Sequence, residues 1–186
     1  MPANDYLQLV LTGVDQVRSS YGASGDLPSD TRVLVAEVIG AMNSFTDIVR
    51  YLNTRRSNVS VLSINEEADV QDALYLMLRP WIHDLVPEDP NQKVANRYTI
   101  KDFASKSSKL VIEAKYVRNA DHGKNISKEI NDDIENYRYH DSCDDLIFFI
   151  YDPDGLIPDS ASLERHLKTS RTYDDRLLRC HAVIKP

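Results

Sequence analysis

The stretch that decides the fold is residues 109–117, with the sequence Lys-Leu-Val-Ile-Glu-Ala-Lys-Tyr-Val. A β-strand places alternate side chains on opposite faces, so one face of this stretch carries Val111, Glu113 and Lys115, while the other is apolar as far as Ala114. Burying a carboxylate and an ammonium group is costly unless the two charges pair or bind a metal. The stretch therefore predicts a strand with a charged site on one face.

A second apolar run, at 146–151, shows no alternation of polar and apolar residues. Such a run is typical of a central strand that is covered on both faces. Further strands are predicted at 97–103 and 180–184, and the polar residues 105–108 suit a hairpin turn that leads into the strand at 109–117.

Helices are predicted around these strands at 63–81, 126–139 and 160–169, where apolar residues recur at spacings of three and four. Ser63 and Glu66 fit a capping box at the start of the first of them. The order is helix, strand, strand, helix, strand, helix, strand. This order predicts an α/β fold with a central mixed β-sheet flanked by helices.

The N-terminal part of the chain is predicted to be helical throughout. Amphipathic patterns at 4–20 and 30–54 are separated by a Gly- and Pro-containing loop. We therefore expect an N-terminal helical hairpin over 1–58 and a main domain over 59–186. The apolar stripes of the hairpin suit docking on a partner protein or on a second copy of the chain, and equally suit packing on its own domain.

The composition is that of a soluble globular protein, with 42% hydrophobic and 27% charged residues. No apolar run approaches the ~20 residues that a membrane span needs, and residues 1–21 lack a signal-peptide pattern. Cys143 and Cys180 are expected to be reduced thiols, because their spacing and that of the adjacent His140 and His181 do not follow a zinc-site pattern. These features predict a cytoplasmic protein that has no membrane segment.

The net charge of −7 argues against a dedicated nucleic-acid binder. The segment 93–128 is nevertheless basic, because it has nine basic residues and only three acidic ones. The basic residues are Lys93, Arg97, Lys101, Lys106, Lys109, Lys115, Arg118, Lys124 and Lys128, and the acidic ones are Asp102, Glu113 and Asp121. Such a segment can contact phosphate, although solvated surface charges would give the same pattern.

Carboxylates are predicted to gather at the charged strand. Asp102 ends the preceding strand, and the hairpin brings it towards Glu113. Two adjacent carboxylates repel each other unless a divalent cation lies between them, and Mg²⁺ prefers hard oxygen ligands. Glu67 lies on the apolar stripe of its helix, with Gln71 one turn further on the same side. Two simpler interpretations stay open here, an exposed Glu67 at a helix N-terminus and an ordinary cross-strand ion pair of Glu113 with Lys115.

The spacing of these residues resembles a known motif. Asp102, ten intervening residues and then Glu113-Ala114-Lys115 resemble the motif of the PD-(D/E)xK restriction-endonuclease-like superfamily. One departure is Lys101, which stands where the motif often has proline.

The sequence around the motif is also similar to one branch of that superfamily. The segments 65–74, 124–137 and 149–155 resemble Dpn/Mbo-type restriction endonuclease domains of prokaryotic restriction and defence proteins. The resemblance covers roughly 63–186 and does not include the helices of 1–58. It implies a restriction-endonuclease-like core.

The resemblance implies roles for the site residues. Asp102, Glu113 and the carbonyl of Ala114 would bind Mg²⁺, for which Mn²⁺ can substitute, and Glu67 would bind the same ion or a second one. Lys115 would position the attacking water or stabilise the charge on the phosphorane. The products would carry a 5′-phosphate and a 3′-hydroxyl.

The implied function is a Mg²⁺-dependent DNA endonuclease that acts as the effector of a restriction or anti-phage defence system. Residues proposed to contact nucleic acid are Gln71, Lys101, Arg118, Lys124 and Lys128. DNA is expected rather than RNA, but both are attacked at the same phosphate, so an RNA nuclease stays an alternative. A catalytically silent module for partner binding or oligomer assembly is another.

Overall fold

The computed structural model describes residues 35–54, 61–90, 100–137, 143–173 and 176–186. The helices in these residues are α1 (Val35–Asn43), α2 (Phe45–Thr54), α3 (Glu67–Leu78), α4 (Ala120–Tyr137) and α5 (Ser160–Leu167). The strands are β1 (Val86–Pro90), β2 (Ile100–Ser105), β3 (Leu110–Tyr116), β4 (Asp145–Tyr151), β5 (Arg171–Tyr173) and β6 (Arg176–Lys185).

The strands form one mixed sheet in the order β1-β2-β3-β4-β6-β5. β3, β4 and β6 run parallel to one another, while β1, β2 and β5 pair antiparallel with their neighbours. β4 occupies a central position and all seven of its residues are buried, as the continuous apolar run predicts. The predicted α/β fold with a mixed sheet is therefore confirmed.

Each face of the sheet is covered by its own helices. α1, α2 and α3 pack on the face that includes Ile112 and Ala114, and α4 and α5 pack on the face that includes Val111. Glu113 and Lys115 share the Val111 face, as the strand alternation predicts, and both are buried there. The charged pair of β3 therefore lies against α4.

Residues 35–54 form a helical hairpin that precedes the sheet, as predicted. The structure differs from the sequence prediction in having a break at Ser44, so that the expected single helix over 30–54 is two helices in its described part. Phe45 is fully buried, and its ring lies 4.7 Å from that of Phe149. Packing on its own domain is therefore what this segment does.

The contacts of residues 35–54 do not test the other predictions for the N-terminal part of the chain. The predicted helix at 4–20 lies outside the described residues. A docking role for 1–58, and the division of the chain at residue 58, stay predictions.

Two edge strands were not predicted from the sequence. β1 contains Pro87 and Pro90, which argue against a strand because proline cannot donate a ladder hydrogen bond. The structure accommodates them because β1 lies at the edge of the sheet and pairs only with β2. β5 has three residues and pairs only with β6 at the opposite edge.

Helix boundaries also differ from the predictions. α4 begins at Ala120 and not at residue 126, so residues 120–125, which precede the predicted helix, are helical as well. α3 begins at Glu67, and its capping box is formed by Glu66 and Asp69 instead of Ser63 and Glu66. Within the described residues, none of the helices is both long and apolar enough to span a membrane.

The turn after β4 packs against the first turns of α4. Both carboxylate oxygens of Asp152 accept backbone hydrogen bonds, from the amides of Leu156 (2.8 Å) and Ile157 (2.9 Å). Gly155 has a φ of +63°, a conformation that favours glycine. The α4 residue Gly123 approaches the Leu156 carbonyl so closely that a Cβ would lie 2.4 Å from its oxygen. This contact fixes the start of α4 beside the end of β4.

Candidate active site

The site forms where the pairing of β2 with β3 stops. The last paired residues are Phe103 and Ile112, so the ladder does not continue to the end of β3. Beyond this point, side chains bind the backbone amides of β3. Oδ2 of Asp102 accepts a hydrogen bond from the amide of Ala114 at 2.7 Å. Oε2 of Glu67 accepts a longer hydrogen bond, 3.4 Å, from the amide of Tyr116. Two acids predicted from the sequence thus satisfy backbone groups that a neighbouring strand would otherwise satisfy.

The same geometry places the Ala114 carbonyl at the site. The N–H and C=O groups of one strand residue point to the same edge, so this carbonyl points to the edge at which Asp102 binds the Ala114 amide. Asp102, Glu67 and the Ala114 carbonyl are therefore brought together at one edge of β3.

Glu113 is the most deeply buried acid of the site, with 4% of its surface exposed. The hydroxyl of Tyr137 donates a hydrogen bond to its Oε1. Burial, followed by the negative charge of Asp102, raises the pKa of Glu113 to about 8. The hydrogen bond from Tyr137 and the positive charge of Lys115 favour ionisation of Glu113, but burial and the charge of Asp102 together outweigh them.

The pKa of Asp102 is raised too, to about 6. Burial is the main cause, and the charge of Glu67 adds to it. The hydrogen bond from Ala114, the charge of Lys115 and a hydrogen bond with Gln71 oppose the rise. The half-buried Asp102 and the buried Glu113 are thus two neighbouring acids that resist ionising together.

Lys115 turns towards α4. Its Nζ lies 3.0 Å from Oδ2 of Asp133 and 3.4 Å from Oε1 of Glu129, and its side chain is 9% exposed. Burial alone would lower the pKa of Lys115, but the charges of Asp133 and Glu113 raise it above its ordinary value. The lysine of the motif is therefore a buried cation held by acids of α4.

Sequence reasoning missed these α4 residues as part of the site. Glu129, Asp133 and Tyr137 were not predicted to be site residues. Their spacing of four residues would have placed all three on one side of the helix. Acids at such spacing usually lie on a solvated face, so nothing in the sequence pointed to the buried partner.

The donor set of the site fits Mg²⁺ through two carboxylates. In the parts of the chain that the structure describes, no three His, Cys, Asp or Glu side chains come together as a metal-binding group. Mg²⁺ commonly uses only one or two carboxylates, with water and substrate phosphate as its other ligands. Asp102 and Glu113, with the Ala114 carbonyl, match that requirement in number and in chemistry. Glu67 lies nearby with one oxygen bound to the amide of Tyr116.

The proposed nucleic-acid contacts differ in their exposure. Lys101 is 3% exposed, so its side chain is covered in this structure, and its contact with nucleic acid stays a prediction. Gln71 is half-buried beside Asp102. Arg118 and Lys124 are exposed just after β3 and on the first turn of α4, and Lys128 is exposed further along α4. The last four residues stay predicted contacts.

The chain is similar to a known protein family over most of its length. The model of the DpnII-MboI restriction endonuclease family matches residues 37–178. The chain belongs to this family. The DpnII-MboI match begins within α1, so it includes the two helices that the sequence resemblance left out. No curated protein and no solved structure gives a significant match.

Membership of the DpnII-MboI family confirms the predicted relationship and fold, and it identifies the general activity. A restriction endonuclease family implies a nuclease that acts on DNA. Within the matched residues, the groups that suit this activity are the carboxylates of Asp102 and Glu113 and the ammonium of Lys115.

Proposed function

We propose that this chain is a Mg²⁺-dependent endonuclease that hydrolyses DNA phosphodiester bonds and acts as the effector of a prokaryotic restriction or anti-phage defence system. The observation that carries the proposal is the half-buried Asp102 and the buried Glu113, two acids with raised pKa values, beside the buried cation of Lys115. Acids whose ionisation is this unfavourable gain most from a divalent cation, because the cation neutralises both charges at once.

Each residue then has a role that its position supports. Asp102, Glu113 and the Ala114 carbonyl would hold Mg²⁺, and Glu67 would act beside them as a further ligand or through water. When bound, the ion supplies Lewis acidity towards the phosphate and lowers the pKa of a coordinated water. Lys115 stays protonated and donates hydrogen bonds, either to the attacking water or to the phosphorane oxygens.

The other candidate functions have less support. A catalytically silent module has no reason to keep Asp102 beside the buried Glu113, since their mutual repulsion opposes folding. RNA as the substrate is not favoured by any described contact, whereas the family is one of DNA endonucleases. We place the enzyme in the cytoplasm, where the thiols of Cys143 and Cys180, which are buried and not joined in a disulfide, would stay reduced.

The test is cleavage of supercoiled plasmid and of an RNA of the same sequence, with Mg²⁺, Mn²⁺ or EDTA. We expect metal-dependent cutting of DNA, which Lys115→Ala lowers by about 10²- to 10³-fold. Lys168→Ala, which removes an exposed lysine paired with Glu164, is the matched control and should cut like the wild type. Cutting by Lys115→Ala at the wild-type rate would contradict the assignment.

A second measurement does not depend on activity. Mn²⁺ binding followed by electron paramagnetic resonance should be weakened by Asp102→Asn, because a neutral amide is a poorer ligand than a carboxylate. Equal binding by the wild type and this variant would rule out Asp102 as a ligand.

A further inference from the structure

The acids of α4 form a connected array around the lysine of β3. Asp133 contacts Lys115 at 3.0 Å and Glu129 contacts it at 3.4 Å, from positions one helical turn apart. The two carboxylates differ in exposure, with 19% of the Asp133 side chain and 43% of the Glu129 side chain accessible to solvent. One of the two ion pairs is thus largely shielded from water, where charges interact more strongly.

Glu129 is itself held by His122. Nδ1 of His122 accepts a hydrogen bond from the amide of Arg118 at 3.3 Å, so the neutral ring carries its proton on Nε2. Nε2 lies 3.1 Å from Oε2 of Glu129 and therefore donates to it. The amide of His122 donates in turn to Asn119 at 2.8 Å, which fixes the backbone beside the ring. The array runs from the backbone after β3, through His122 and Glu129, back to Lys115.

We propose that Asp133 and Glu129, with His122 behind Glu129, are positioning residues that hold Lys115 in one orientation as a hydrogen-bond donor for the cleavage reaction. This inference rests on the proposed nuclease function. A lysine has a flexible four-carbon stem and no preferred hydrogen-bonding plane, so it needs contacts from outside its own strand to be placed. α4 provides two such contacts at a fixed helical spacing.

The array also determines what Lys115 does chemically. An ammonium between two carboxylates keeps its proton, and it acts as a cation and hydrogen-bond donor. Loss of the α4 acids should therefore lower the rate of the chemical step and leave DNA binding intact.

The test uses the full chain with Asp133→Asn, Glu129→Gln and the double variant, which preserve side-chain size. Asp132→Asn is the matched control, because Asp132 is an exposed carboxylate on the same helix. Plasmid cleavage is measured with Mg²⁺ at a temperature at which thermal melting shows every variant folded. We expect kcat of the double variant to fall about 100-fold with KM unchanged, because a displaced catalytic group costs roughly this much. Asp132→Asn should match the wild type.

A second readout needs no activity. Acetylation of lysines by an N-hydroxysuccinimide ester, quantified by peptide mass spectrometry, reports how firmly each ammonium is held. Lys115 should be modified faster in the double variant than in the wild type, and at the wild-type rate in Asp132→Asn. Acetylation of the exposed Lys168 should be equal in all proteins and serves as the internal reference.

The outcomes separate this inference from the proposed function. Wild-type cutting with an unchanged kcat in the double variant overturns the positioning role, whatever the labelling shows. An unchanged rate of Lys115 acetylation overturns it as well. If the wild type does not cut with either metal, the proposed function fails, and the labelling still decides whether α4 holds Lys115.

Discussion

At the scale of single residues, the site consists of charged groups that burial shields partly or almost fully from water. Asp102 and Glu113 both have raised pKa values, chiefly through burial, while Asp133 and Glu113 keep Lys115 charged. Tyr137 donates to Glu113, and this bond only partly offsets the cost of its ionisation. The protein therefore holds acids that favour a proton or a cation over the bare charge.

This arrangement makes stability depend on pH in the absence of metal. The pKa of Glu113 is about 8 in the folded chain against an ordinary value of 4.5, so its contribution to stability is fully present below about pH 4.5 and is lost as pH rises through about 8. In EDTA, we expect the free energy of unfolding to fall by a few kcal/mol between about pH 5 and pH 8.5. Glu113→Gln should show a smaller fall.

Guanidinium chloride unfolding at both pH values measures this difference. Asp102, with a pKa raised to about 6, changes stability in the same direction, so only the difference between the wild type and Glu113→Gln isolates Glu113. Glu37→Gln, at an exposed position of α1, is the control and should follow the wild type. Parallel curves for the wild type and Glu113→Gln would show that Glu113 ionises normally.

At the scale of elements, α4 carries the positioning residues, and its start depends on a close backbone contact. Gly123→Ala would place a methyl group 2.4 Å from the Leu156 carbonyl oxygen, which belongs to backbone and cannot turn aside. We expect it to destabilise the protein by about 1–3 kcal/mol. Gly40→Ala in α1 meets nothing within 4 Å and should be neutral or stabilising by about 0.5–1 kcal/mol.

Chemical denaturation of the two alanine variants gives a direct comparison, since both place the same residue in a helix. Gly123→Ala as stable as Gly40→Ala would mean that α4 and the turn after β4 are not in close contact. A destabilised Gly123→Ala should also cleave DNA more slowly, because the helix that holds Lys115 is displaced.

Comparison of elements also shows what could be predicted from sequence. β3 and β4 were predicted because alternation and a continuous apolar run are local signals of how a strand is covered. The prediction of Asp102 near Glu113 followed from a short hairpin, and the structure places Asp102 on the amide of the next residue, Ala114. β1 was missed because Pro87 and Pro90 are unfavourable in a strand unless it lies at an edge, and edge position is decided by the whole sheet.

The part of the site contributed by α4 could not be predicted for a similar reason. Glu129 and Asp133 have the spacing of ordinary surface acids, and only the packing of α4 on β3 brings them to Lys115. The burial of Lys101 was missed because alternation along β2 indicates a face but not what covers it. Glu67 was predicted to face the core, and its bond to the Tyr116 amide shows the contact that such a position provides.

At the scale of the whole molecule, the helices before the sheet belong to the same core as the site strand. Phe45 is 0% exposed and packs on Phe149 of β4 and Tyr151. Phe45→Ala should cost about 3–5 kcal/mol, as the loss of a buried aromatic ring usually does. Tyr51 lies on the same helix but is 70% exposed, so Tyr51→Ala should change stability by no more than about 0.5 kcal/mol.

Thermal and denaturant unfolding, followed by both circular dichroism and Trp81 fluorescence, would check this prediction. Phe45→Ala should shift both signals together, because Trp81 follows α3, which packs in the same core cluster as Phe45. A shift confined to one signal would show that residues 35–54 unfold separately from the rest.

The pairing of β2 with β3 ends before the end of β3, and this affects how far the acids of the site are preorganised before the proposed cation binds. A carboxylate is planar, so tying one oxygen to a backbone amide restricts where the other can point. Asp102 and Glu67 are bound in this way to backbone amides of β3. Because β2 does not pair with these amides of β3, the two acids are held in place before any ligand binds, so little further ordering would oppose binding of the proposed cation.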